Sequence, residues 1–106
     1  MPMYLWRASY AADGAKGLLK DGGSKRRDMV RQMVEKVGGK LHSFHFALGT
    51  DDVVGIAEFP DTATAAAMSL VVNASGAVNL HSTLLISPEE IDAAAKKAVS
   101  YTPPGA

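Results

Sequence analysis

The chain contains no cysteine. That absence excludes disulfide staples, thiolate metal sites and a cysteine nucleophile together, and it suits a reducing compartment. Charge of one sign is missing as well. Eleven Lys and Arg balance eleven Asp and Glu, so no global field draws in nucleic acid or an anionic lipid surface. No apolar run approaches the ~20 residues needed to span a bilayer. The start, Met1-Pro2-Met3-Tyr4, lacks the basic and apolar regions of a secretory signal. Gly14-Ala15-Lys16-Gly17 does not have the spacing of a phosphate-binding or dinucleotide loop, and no serine sits in a nucleophile elbow. The expectation is a cytoplasmic protein with no membrane or nucleic-acid partner, no cofactor and no metal.

What is present fits one small domain over residues 1–100, with a loose tail at 101–106. Aromatic-rich Met3–Tyr10 reads as a strand, and Ala15–Lys20 as a short helix broken by Asp21-Gly22-Gly23. Ser24 is placed to cap a second helix, whose Val30, Met33, Val34 and Val37 recur at helical spacing before Gly38-Gly39 ends it. Lys40–Leu48 and Val53–Phe59 read as two strands joined in a hairpin. Pro60 stops the ladder, and Asp61 or Thr62 caps an alanine-rich helix through Val71. A fourth strand follows at Ala77–Ile86. Ser87-Pro88-Glu89-Glu90 then opens a last helix reaching about Ser100, with cap, proline and carboxylates in their preferred places. The order is a ferredoxin-like βαββαβ, an α+β fold with a four-stranded antiparallel sheet and one appended helix. Right-handed crossovers put the helices on one face of the sheet and leave the other bare.

Period-two alternation sorts that bare face. The more apolar sides, led by Tyr4, Trp6 and Ala8, by Phe44, Phe46 and Leu48, by Val53, Ala57 and Phe59, and by Val78, Leu80, Leu84 and Ile86, are expected inward. Leu5, Arg7, Leu41, His45, Val54, Ile56, Glu58, His81 and Leu85 then look outward. On the first strand the opposite choice stays open, with Tyr4, Trp6 and Tyr10 forming an aromatic wall on the bare face. An apolar floor holding polar groups is expected to meet a second copy, a ligand, or both.

Pro2 and Tyr4, Tyr10 with Gly14, Gly38-Gly39-Lys40, Leu48-Gly49-Thr50-Asp51-Asp52-Val53-Val54 and Glu58-Phe59-Pro60-Asp61 together resemble the GYD domain family, a group of small, mostly uncharacterised bacterial proteins. The resemblance runs from Pro2 to about Glu90. It departs at the motif that names the family, where Asp51 stands at the tyrosine position, so no ligand role of that tyrosine carries over. It implies a ferredoxin-like fold with dimeric α/β-barrel relatives, and no established reaction.

The chemistry expected of the face rests on few residues. Leu5, Arg7, His45, Val54, Ile56, Glu58 and His81 are the candidate ligand-binding residues, and Arg7, His45, Glu58 and His81 the candidate catalytic ones. If both are buried between two sheets, Arg7 and Glu58 are expected to pair, because an unpaired buried charge is costly. His42 and His45, three apart on a strand, point to opposite faces unless a bulge intervenes. Asp51-Asp52 reads as a turn and not a cation site. The function expected is a small homodimeric binding or accessory protein, possible higher assemblies included, with a small-molecule cavity between two open sheet faces. The alternatives are a cofactor-independent monooxygenase or isomerase of the dimeric α/β-barrel kind, and a structural dimer without ligand.

Overall fold

In the computed structural model, which describes residues 1–106, the chain runs β1 (Met3–Tyr10), α1 (Ala12–Asp21), α2 (Gly23–Lys36), β2 (Lys40–Phe46), β3 (Val53–Glu58), α3 (Thr62–Ala74), β4 (Val78–Leu85) and α4 (Pro88–Ala95). The strands make one antiparallel sheet in the order β2-β3-β1-β4. This is the ferredoxin-like α+β arrangement, with β1 and β3 central.

Local rules explain most boundaries. Asp61 caps α3 by accepting from the Thr64 backbone N–H at 2.7 Å. Ser87 and Glu90 form a reciprocal capping box at the start of α4, with Pro88 at its first position. Gly38 ends α2 at φ 83, a left-handed geometry that costs glycine nothing. Ser24 does not cap α2. The helix starts one residue earlier at Gly23, and Gly22 ahead of it, also at φ 83, closes α1 by donating its N–H to Leu18. A single left-handed glycine thus joins two helices, and α1 is longer than the short helix expected over Ala15–Lys20. Asp52 joins the β2–β3 hairpin to β1. Its N–H donates to the Ala8 carbonyl, and its carboxylate accepts from the Tyr10 N–H, both at 2.8 Å.

The core lies between one sheet face and two helices. Tyr4, Trp6 and Ala8 of β1 are buried there with Val30 and Val34 of α2 and Ala65 and Met68 of α3. That settles β1: its aromatic side is inward, and Leu5 and Arg7 look out. Phe59 and Val34 are fully buried, and the Phe59 ring meets Tyr4 and Trp6 at centroid distances of 6.0 and 5.7 Å. An apolar cavity of about 40 Å³ remains under Trp6, Val30, Met33 and Phe44. It has room for a few waters and for no metabolite.

Four expectations fail at the edges. Leu41 is buried, not outward, because β2 is irregular between Leu41 and Ser43: Leu41 faces Ala57, Ser43 faces Ile56, and His42 is the extra residue of a bulge. Phe46 is exposed at the end of β2, and Leu48 lies past it in solvent. Leu84 and Ile86 are exposed, lining an open cleft with Pro2, Thr62 and Glu90 at that end of β4. The last helix stops at Ala95, short of Ser100, and buries none of its residues. No helix is long and apolar enough to cross a membrane.

Candidate functional site

The register turns the open face into rows. Arg7 on β1 stands opposite Val54 on β3 and His81 on β4, and Val54 in turn stands opposite His45 on β2. Residues directly opposite share a face, so His45, Val54, Arg7 and His81 form one line across all four strands. At ~4.8 Å between strands the line spans roughly 14 Å, with Arg7 next to His81 and one valine away from His45. The neighbouring row is Ser43, Ile56, Leu5 and Thr83. Leu5, Val54 and Ile56 are half-buried, whereas Arg7, His45 and His81 are exposed. The face is therefore an apolar strip with one guanidinium standing in it between two imidazoles.

Glu58 belongs to a third row. It stands opposite Met3 on β1 and Lys40 on β2, four residues along β3 from Val54, the position facing Arg7. Four residues of strand are roughly 13 Å, too far for an ion pair. The expected Arg7–Glu58 pair does not form. Glu58 instead meets His42, its Oε1 2.8 Å from Nε2, with the two side chains 24% and 32% exposed. The bulge makes this possible, because the extra residue brings His42 round to the Glu58 side. A carboxylate oxygen accepts, so Nε2 donates to it.

All seven ligand-site candidates, Leu5, Arg7, His45, Val54, Ile56, Glu58 and His81, thus share the open face. The structure brings Arg7 and His81 together and keeps Glu58 apart. Arg7 takes part in none of the ion pairs, which join Lys25 to Asp21, Arg27 and Arg31 to Asp28, and His42 to Glu58. No three His, Asp or Glu side chains converge as metal ligands do. Sequence reasoning missed His42. A bulge near His42 was named only as an exception, and its trace was the spacing of Leu41 and Phe44, both apolar and three apart, one step out of phase for an unbroken strand.

A guanidinium on an apolar sheet presents a planar fork of donors that matches a carboxylate in two places at once. Flanking imidazoles add hydrogen-bonding partners that change role with protonation. The arrangement can hold a small anion with an apolar body.

The fold and this face define the class: a ferredoxin-like domain with helices over one side of its sheet. The family model for the GYD domain matches residues 4–95, and the chain belongs to that family. No curated protein and no solved structure matches the chain.

Proposed function

We infer that the protein is a small homodimeric binding protein of the bacterial cytoplasm, holding a modest, partly apolar carboxylate between the open sheet faces of two copies. The observation that carries this reading is Arg7: a charge with no acidic partner, set among Leu5, Val54 and Ile56 and beside His81. An apolar surface of this kind is costly to leave in water, and a second copy closes it. The ligand's carboxylate supplies the counter-charge that Glu58 is too distant to give.

The test is a thermal-shift survey of small carboxylates on the intact protein. A true ligand at a hundred times its dissociation constant adds about 2.7 kcal/mol. For a chain of this size that raises the melting temperature by on the order of 10 °C. Arg7→Met is expected to remove the shift while leaving the unliganded melting temperature close to that of the parent. A shift that survives in Arg7→Met would move the binding site elsewhere. No shift with any compound would leave a structural dimer as the better description.

A second reading, a cofactor-independent isomerase or monooxygenase, is favoured by the His42–Glu58 pair alone. In it Arg7 holds an enolate or carboxylate, and a histidine or Glu58 moves the proton. This reading requires that a stabilising compound also be converted, with a rate that changes with pH across the histidine range. A ligand recovered unchanged after prolonged incubation would retire it.

A further inference from the structure

The helix side of the molecule carries a pocket that the open face does not share. α1 and α2 meet at an elbow, joined by the single residue Gly22, and the end of β1 and the start of β4 lie against it. The elbow holds a pocket of about 210 Å³, walled by Tyr10, Val78, Asp13, Gly17, Asp21 and Arg26. That is below the roughly 300 Å³ at which pockets for drug-sized ligands begin, so it suits a small occupant.

Its charges are of both signs and do not cancel one another. Arg26 is half-buried and also borders the apolar cavity under Trp6, yet it takes part in none of the ion pairs. Asp13 has no cationic partner either. Asp21 gives one oxygen to Lys25 at 3.5 Å, an exposed bridge of a kind that adds little in water. Half-buried Tyr10 gives its backbone N–H to Asp52 and uses its hydroxyl in no hydrogen bond.

Two glycines of α1 line the pocket for different reasons. A Cβ on Gly14 would collide with the Ala77 carbonyl oxygen, so the packing of α1 on the start of β4 requires glycine there. Gly17 has no such reason. A Cβ there would meet nothing within 4 Å, and its φ is not left-handed. Glycine inside a helix costs stability relative to every residue but proline. What Gly17 does is leave the pocket open between Asp13 and Asp21, which flank it on one helix face at four-residue spacing.

We propose that this elbow binds a small zwitterion of the α-amino-acid type, its carboxylate on Arg26 and Tyr10 and its ammonium on Asp13. A simple anion would face two carboxylates, and a simple cation would face the guanidinium. A molecule that carries both charges a few bonds apart satisfies each. The planar fork of Arg26 takes the carboxylate in two places, and the Tyr10 hydroxyl donates to the same group. Asp21, at the far end, disfavours a side chain that is itself acidic. The site is independent of Arg7 and of any second copy.

The experiment titrates the isotopically labelled intact protein with the common α-amino acids at millimolar concentration and follows backbone amides by NMR. At least one amino acid is expected to move the Gly14, Gly17 and Arg26 resonances while those of Arg7 and Val54 stay. Its N-acetyl and methyl-ester forms, each short of one charge, are expected to bind at least tenfold more weakly. Arg26→Met is expected to weaken binding by at least the same factor. Gly17→Leu is expected to do so while raising the melting temperature, because leucine is the better helix former and has open space to fill. Binding lost from a more stable protein is blockage and not unfolding. The proposal is overturned if no amino acid moves those resonances, if either derivative binds as well as its parent, or if binding is undiminished in Arg26→Met or Gly17→Leu. Arg7→Met, which tests the carboxylate site on the open face, is expected to leave all of this unchanged, so failure of one site is not mistaken for failure of the other.

Discussion

Asp61 shows how a single side chain reports its own contribution. Its carboxylate accepts from the Thr64 side chain and backbone, and these hydrogen bonds hold its pKa below the ordinary value of 3.8. A carboxyl group whose folded pKa is lowered stabilises the fold fully above its unfolded value, and that stabilisation disappears as pH falls through the folded one. Asp61→Asn keeps a capping oxygen but loses the charge at the helix start. The parent is therefore expected to be the more stable at neutral pH, with the difference vanishing at pH values below 3.8, read from urea midpoints across an acid series. Asp61 and Ser87 were legible in the sequence because a cap depends on four neighbouring residues. Ser24 was misread for a tertiary reason: α1 and α2 abut at Gly22, and the second helix begins before the serine. Arg7 and Glu58 were assigned the right face and the wrong partner. Which face a residue occupies follows from alternation, but which residue stands opposite follows from register.

Elements were legible in kind and in chain order, because apolar periodicity and glycine or proline breaks mark each one. The bulge in β2 was not, since one extra residue changes the face of its neighbours without changing composition. Gly55 sits opposite Phe44 just beside it, and a Cβ there would lie 2.6 Å from the Ser43 carbonyl oxygen. That oxygen is backbone on the irregular strand and has no rotamer to escape into. Gly55→Ala is accordingly expected to cost about 1–3 kcal/mol, seen as a lower denaturant midpoint with an unchanged slope. The bulge also permits an unusually clean deletion. Without His42, Leu41 in and Ser43 out follow in ordinary alternation, so every other side chain keeps its side of the sheet. The variant lacking His42 is expected to fold with the parent's near-ultraviolet spectrum and to lose only the imidazole beside Glu58. If the isomerase reading holds, turnover should fall while carboxylate binding through Arg7 persists.

At the scale of the molecule, the open face is the feature on which the proposed assembly turns. Val54 stands in the line of His45, Arg7 and His81, half-buried already. Val54→Asp puts a carboxylate into that strip and is expected to yield a folded monomer by light scattering coupled to gel filtration. Continued self-association would show that the sheet is covered in some other way. How a second copy would meet this face could not be read from the sequence, because alternation within one chain carries no information about a neighbour's position. The strand order has a consequence for synthesis too. β1 is made first yet sits between β3 and β4, and its partner along one side does not exist until residue 85 has been added. A nascent or truncated chain therefore carries Trp6 and Tyr4 on a strand with one raw hydrogen-bonding edge, ready to pair with any other extended chain. Slow elongation across residues 78–85, or premature termination there, should do more harm to yield than the same fault after α4.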